Sequence, residues 1–216
     1  MKHKILSGDS ISSVAKNFEE LWKEYEKPSF LGEIVFKISE IEAMNIMKKY
    51  MPNKNCRIID VGCGTGRTLI LFKKNGYMNS IGIDISKKSI EVCARKNLIP
   101  NKDVFLMDIK NNKFKDKEFD VVFAEGLLEH FKKFQPIVDG LCRISKKYVL
   151  LLQPNHFSIF KKLTELYYYF FPRMVVEELT YHVKDFNKAF MRNGFVLKEL
   201  KNTFLNSYWI LLYQRI

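Results

Sequence analysis

The chain has 216 residues, 47% of them hydrophobic, and a formal net charge of +12. That length and apolar content exclude a disordered polypeptide and suit one compact domain with a well-buried core. The positive balance admits anionic partners such as nucleic acid, phospholipid head groups or phosphorylated metabolites, although the lysines stand in ones and twos, as on an ordinary solvated surface.

Residues 10–27 carry Val14, Phe18, Leu21, Trp22 and Tyr25 at three- and four-residue steps, which predicts a helix closed by Lys27-Pro28. Residues 33–50 repeat the pattern with Ile34, Ile38, Ile41, Ile46 and Met47, and Pro52-Asn53 marks a turn. Alternation then begins. Arg57–Val61 reads as a first apolar strand and Thr68–Lys74 as a helix stopped by Asn75-Gly76. Ser80–Asp84 is the next strand, and Ser86 can cap the helix that holds Ile90, Cys93 and Ala94. Val104–Met107 and Phe119–Ala124 are the third and fourth strands, Ile137–Ile144 is helical, and Tyr148–Leu152 is a fifth, wholly apolar strand. Strands this apolar, separated by helices, predict a parallel sheet covered on both faces.

Residues 157–182 break the rhythm with Phe157, Phe160, Leu163, Leu166, Tyr167, Tyr168, Tyr169, Phe170, Phe171 and Pro172. They read as an inserted aromatic helix after the fifth strand. Phe160, Leu163, Tyr167 and Phe170 share a face, flanked by Lys161, Lys162 and Arg173. A last helix, Lys184–Arg192, closes at Asn193-Gly194, and Phe195–Leu200 and Ser207–Tyr213 form two final strands, read as a hairpin. The expected organisation is a helical cover over 1–54 and one α/β domain over 55–216, with 157–182 as a lid insertion. Cys56, Cys63, Cys93 and Cys142 contain no CxxC pair, which argues against structural zinc and for a reducing compartment. No apolar run reaches the ~18 residues of a membrane span and the N-terminus lacks an apolar signal core, so a cytoplasmic protein is expected.

Chemistry concentrates at Ile58-Ile59-Asp60-Val61-Gly62-Cys63-Gly64-Thr65-Gly66. Glycines in a strand-to-helix turn let the backbone approach a ligand closely. A dinucleotide fingerprint would place its third glycine at position 67, where Arg67 stands, and no GK[ST] ending completes a phosphate loop. Asp60 beside the glycines disfavours a pyrophosphate and favours a cation. Asp84, at the end of the second strand, can accept two hydrogen bonds from a ribose diol. Asp108 can accept from an exocyclic adenine amino group while Met107 or Ile109 packs on the ring, and Ile85 is counted with this site. Amine, sulfonium, diol and no phosphate together describe S-adenosylmethionine.

At these residues, and at Phe119-Asp120-Val121-Val122-Phe123-Ala124-Glu125-Gly126-Leu127-Leu128-Glu129-His130, the chain resembles the class I S-adenosylmethionine-dependent methyltransferases over roughly residues 55–155. The Leu-Glu-His ending resembles the methyltransferase type 11-like branch, which acts on quinone precursors, sugars and other small molecules. The resemblance implies a Rossmann-like sheet of seven mostly parallel strands with the last antiparallel. It also implies that the methionine part of the cofactor lies near the glycine turn, with main chain around Ala124–Glu125 close by and Glu125 among the cofactor contacts. The family's signature for adenine-amino methylation, an Asn/Asp-Pro-Pro-aromatic run after the fourth strand, is replaced here by Ala124-Glu125-Gly126-Leu127.

Methyl transfer from a sulfonium releases a neutral thioether, so catalysis is mostly positioning, with a base needed only for a protonated nucleophile. His130 and His156 are the candidate catalytic groups by position, with His182 less favoured. The aromatic segment suits an apolar or aromatic acceptor pocket, a transient membrane contact, or ordinary packing. Trp22 and Tyr25 are candidates to close the other side of the cleft. Small-molecule methylation is the leading expectation. An RNA methyltransferase and a non-catalytic binding module are its alternatives, and an NAD-dependent reductase is disfavoured by Arg67 and Asp60.

Overall fold

A computed structural model describes residues 4–8, 10–24, 30–95, 99–171 and 174–216. Its elements in chain order begin with β1 (Lys4–Leu6), α1 (Ile11–Glu24) and α2 (Phe30–Tyr50). The alternating region holds β2 (Ile58–Val61), α3 (Arg67–Lys74), β3 (Ser80–Asp84), α4 (Lys87–Ala94), β4 (Val104–Leu106), β5 (Phe119–Glu125), α5 (Gln135–Ile144) and β6 (Ser145–Pro154). Then come α6 (Ile159–Phe170), β7 (Met174–Val176), α7 (Val183–Met191), β8 (Phe195–Asn202) and β9 (Tyr208–Arg215).

Seven strands form one sheet in the order β4-β3-β2-β5-β6-β9-β8. The pairs β3–β4, β2–β3, β2–β5 and β5–β6 are parallel, whereas β9 runs antiparallel to both β6 and β8. This is the expected Rossmann-like α/β sheet with its last strand reversed. Neighbouring residues of each central strand serve opposite faces, as the two-residue period of a strand requires. Ile59, Val122, Leu151 and Leu211 pack toward α5 and α7, with Val138, Leu141, Phe186 and Phe190. Ile58, Val121, Leu150 and Leu212 pack toward α2 and α3, with Met44, Met47, Leu69 and Phe72. Phe190 also stacks on Tyr213, ring centroids 3.9 Å apart.

Local signals were accurate where they concerned caps. Ser86 Oγ accepts from the Ser89 amide at 3.1 Å, and Gly76, past the end of α3, takes φ +87°. Three expectations need correction. The buried face of α2 is Val35, Ser39, Ala43, Met44, Ile46 and Met47, whereas Ile34 and Ile41 are 41% and 52% exposed. Seven residues apart, those isoleucines share a stripe of their own, and the sheet selects its neighbour. Met107 follows β4 rather than belonging to it. Finally, 157–182 is not one helix: α6 ends at Phe170, and β7 then pairs in parallel with β1 to make a small second sheet. Two strands of three residues carry too little periodicity to be read from sequence. The predicted end of the first helix at Lys27-Pro28, with Tyr25, and the flanking Pro172 and Arg173 lie outside the described residues. No helix among the described residues is long and apolar enough to cross a membrane.

Candidate active site

A cavity of about 360 Å³ opens at the C-terminal ends of the parallel strands. It lies where β2 and β5 are neighbours and the sheet order runs away on both sides, the place at which open α/β sheets leave a crevice. Its floor is the turn after β2. The amides of Gly62 and Cys63 both donate to the Ile83 carbonyl, at 2.8 and 3.0 Å, and tie that turn to β3. Gly62, Gly64 and Gly66 take φ of +77°, +52° and +77°. Two of them matter for different reasons. A Cβ on Gly66 would lie 2.4 Å from Cys93 Sγ and 2.5 Å from Ile99 Cδ1, so this glycine permits close packing of α4. A Cβ on Gly64 would meet none of the described residues within 4 Å, because it faces the open cavity.

The acids anticipated from sequence converge here. Asp60, Asp84, Asp108 and Glu125 all line the cavity, with Ile85, Met107 and Ile109 as apolar wall. Gly66 is not on the lining. Asp60 is 2% exposed. Burial pushes its carboxyl well up, and the charges of Glu125 and Asp84 push it further. Asp84 accepts from the Gly64 amide at 2.9 Å and the Ser86 amide at 2.8 Å, so it braces the turn while facing the cavity. Its carboxyl is raised to about 6 by burial, against the lowering effect of those amides. Asp108 caps the turn Ile109–Asn111 through the Lys110 amide, 2.9 Å. A diol, an amino group and a cation can each find an acceptor among these groups.

Glu125 is less free than its position suggested. Arg67 Nη2 donates to its Oε1 at 2.8 Å and Thr68 Oγ1 to its Oε2 at 3.0 Å. Arg67 also pairs with Glu40 of α2 at 3.1 Å and lies 4.2 Å over the Phe36 ring. The residue that breaks the dinucleotide fingerprint thus clamps α2 to β5 beside the cavity. Burial still raises Glu40 to about 7, since one shared guanidinium offsets its desolvation only in part.

The histidines separate. His130 is buried on the lining. Its Nδ1 is 3.0 Å from the Glu177 carbonyl and Phe18 meets its ring edge-on at 5.0 Å. Burial lowers its pKa, which leaves it neutral at neutral pH. His156 is not on the lining; its Nε2 pairs with Glu178 at 2.8 Å. Lys161 pairs with the same carboxylate at 2.9 Å, and the two partners hold Glu178 down to about 2 despite burial. His182 instead stacks on Phe157, centroids 4.4 Å apart.

Among the lining residues to which the sequence reading gave no role, three are acidic or phenolic. Glu129 is 3% exposed, and its Oε2 has no hydrogen-bond partner among the described residues. Glu178 comes from the segment after β7, and Tyr208 from the start of β9. Only Glu129 carried a signal, a carboxylate set between residues that the turn Leu128–His130 buries. The roof comes from Ile11, Val14, Phe18 and Leu21 of α1, Phe36 of α2 and Tyr168 of α6. Tyr168 is the one α6 residue on the lining; Ile159, Leu163, Leu166 and Phe170 are all more than half exposed. No cluster of three or more His, Cys, Asp or Glu suited to a metal occurs among the described residues.

Comparison with known proteins places this cavity in context. A solved magnesium protoporphyrin IX methyltransferase from Synechocystis PCC 6803, with bound S-adenosylmethionine, superposes with a TM-score of 0.70 at 16% identity, covering 97% of this chain and 99% of that one. The ribosomal protein L11 methyltransferase of Thermotoga neapolitana is 36% identical over 96 residues, 44% of this chain and 36% of that protein. The phosphatidylethanolamine N-methyltransferase of Cereibacter sphaeroides is 29% identical over 106 residues, 47% of this chain and 51% of that protein. The chain therefore spans about half or less of the length of these two curated relatives. The sequence profile of the methyltransferase domain family matches residues 52–203, most of the chain and all of the cavity floor. The chain belongs to the class I S-adenosylmethionine-dependent methyltransferase family, and S-adenosylmethionine is its cofactor.

Proposed function

We propose that the protein methylates a small molecule held at the roofed end of the cavity, between Phe36, Glu129, Tyr168 and Tyr208. One observation carries this reading: α1, α2 and α6 cover the ends of the strands and leave a cavity of about 360 Å³, within the range of small-ligand sites, ~300–1,000 Å³. Its charge supports the reading too. The lining carries Asp60, Asp84, Asp108, Glu125, Glu129 and Glu178 against Arg67 as the sole Arg or Lys among its described residues. An acidic mouth repels a phosphodiester, so the net charge of +12 belongs to the outer surface.

In this reading residues 1–54 form a helical cover, 55–216 the cofactor-binding domain, and 157–182 a lid. Gly62 and Gly64 let the cofactor approach the turn, and Gly66 maintains it. Asp60 and the face of Glu125 complement the cofactor's positive charge, Asp84 accepts from its diol, and Asp108 accepts from its adenine amino group, with Ile85, Met107 and Ile109 against the ring. When bound, the cofactor supplies an electrophilic methyl on a sulfonium and leaves as a neutral thioether. The chain's own work is to align the acceptor, exclude water through Phe18, Phe36 and Tyr168, and receive a proton where the acceptor carries one. His130, neutral and inside, suits that last role; His156 acts through Glu178.

Methyl-labelled cofactor should be consumed with extract, and the label should appear in low-molecular-weight material resistant to nuclease and protease. Label confined to a nuclease-sensitive polymer, with binding that weakens steeply in salt, would replace this reading with RNA methylation. The outward apolar face of α6, beside Lys161 and Lys162, supports reversible contact with a membrane surface as the route for a lipid-like acceptor. Co-sedimentation with anionic vesicles that exceeds that with neutral ones checks this route.

A further inference from the structure

The roofed end of the cavity contains a carboxylate that the cofactor contacts above do not use. Glu129 is 3% exposed, lines the cavity, and leaves Oε2 without a hydrogen-bond partner among the described residues. Leaving a buried carboxylate oxygen unpaired is costly, and none of the described residues relieves it. Its neighbours make the position harder to ionise. Burial pushes its carboxyl well up, Glu178 and Glu125 add to that, and Lys161 opposes it. Lys161 is already paired with Glu178, and Arg67 with Glu40 and Glu125. The hydroxyl of Tyr208, on the same end of the cavity, feels the charges of Glu178, Glu125 and Glu129 together. His130, next in sequence, has its Nδ1 against the Glu177 carbonyl. The aromatic side chains Phe36, Tyr168 and Tyr208 line the same cavity, and the Phe36 and Tyr208 rings stand 5.7 Å apart. Carboxylate and aromatic faces are together the surroundings that stabilise an ammonium group.

We infer that the acceptor is a primary or secondary amine, bound as its ammonium form by Glu129, so that the reaction is N-methylation. This rests on the small-molecule reading above and names its substrate class. For an amine acceptor, ionised Glu129 fills the proton-accepting role that His130 would fill for a hydroxyl, and takes one proton from the acceptor's ammonium. The freed nitrogen lone pair forms the N–C bond as the methyl C–S bond breaks and its electron pair goes to sulphur. The product is a methylated ammonium beside a neutral thioether, and the proton on Glu129 passes to solvent.

The test is calorimetric titration of the S-adenosylhomocysteine-bound protein with matched probe pairs: ethylamine and ethanol, cyclohexylamine and cyclohexanol, 2-phenylethylamine and 2-phenylethanol. At least one amine should bind about tenfold or more tighter than its alcohol, the worth of one charge-assisted hydrogen bond. In Glu129→Gln that preference should fall to about a factor of two while affinity for S-adenosylhomocysteine is kept. No preference for any amine over its alcohol in the native protein overturns the inference, and this arm needs no variant to fold. If Glu129→Gln weakens S-adenosylhomocysteine itself and spares the amine preference, Glu129 belongs to the cofactor's own amino group and the inference is again overturned. Label from the cofactor found on hydroxyl, carboxyl or carbon acceptors alone overturns N-methylation and leaves the small-molecule reading standing. Label found in RNA alone retires both.

Discussion

Gly66→Ala and Gly64→Ala separate the two tasks of the glycine turn. Both positions have positive φ, +77° and +52°, where a side chain costs about 1–2 kcal/mol. Gly66 carries a second cost. Its new Cβ would stand 2.4 Å from Cys93 Sγ and 2.5 Å from Ile99 Cδ1, and Cys93 and Ile99 are 0% and 2% exposed in a packed core. Overpacking of this kind costs about 1–3 kcal/mol, so Gly66→Ala should lose about 3 kcal/mol of stability in all. With a urea slope of about 1–3 kcal/mol per molar, the unfolding midpoint should drop by at least about 1 M. Cys93→Ala in the same chain should recover part of the loss, because it removes the sulphur but leaves Ile99. Gly64→Ala meets none of the described residues within 4 Å, so it should lose only about 1–2 kcal/mol. Its methyl group enters the space proposed for the cofactor, and affinity for S-adenosylhomocysteine should fall at least about tenfold, measured by calorimetry. A loss below about 1 kcal/mol at Gly66, or unchanged affinity at Gly64, would refute the reasoning.

Asp84 must be ionised to accept from a diol, and its carboxyl is raised to about 6, so S-adenosylhomocysteine affinity should decline by up to about tenfold per pH unit below about 6. Asp60, whose carboxyl burial also pushes well up, contributes to the same decline; Asp84→Asn should weaken binding and flatten the profile, and an unaltered profile removes Asp84 from the site. The sign for stability is opposite: a folded value above the unfolded 3.8 stabilises the ligand-free fold as pH falls from about 6 toward 3.8. Glu178 behaves the other way, since its folded value of about 2 lies below 4.5. Its contribution is complete above 4.5 and is lost as pH falls toward about 2, so Glu178→Gln should make acid unfolding shallower in that window, followed by circular dichroism. Arg67→Met strands Glu40 and Glu125, a loss of about 3–5 kcal/mol in a fully buried site. With 35% of the Arg67 side chain exposed, about 1–2 kcal/mol is expected from denaturant unfolding, and a stabilised variant would show that the clamp is not favourable.

The strand–helix alternation, the glycine turn and the acids at strand ends were legible because each is local. A short apolar run, a glycine that must take positive φ, and a polar residue closing a buried strand are written within a few neighbouring positions. Asp60, Asp84, Asp108 and Glu125 were found that way, and all four line one cavity. His130 and His156 had equal standing in sequence, yet their side chains diverge. The segment after β7 brings the Glu177 carbonyl to one and the Glu178 carboxylate to the other.

The sequence by itself determined the fold class and the cofactor, since both follow from residues packed around one crossover. The proposed acceptor side drew only its aromatic segment from sequence, and its assembly came from tertiary structure. Phe18, Phe36, Glu129, Tyr168, Glu178 and Tyr208 are drawn from six separate segments, and no spacing links them. The choice of α2's buried face and the pairing of β1 with β7 were also settled at that level. The physical reason is the same in each case. A contact between distant segments has its free energy fixed by what the rest of the chain places opposite, such as a carboxylate that gains or lacks a partner only once the cavity closes.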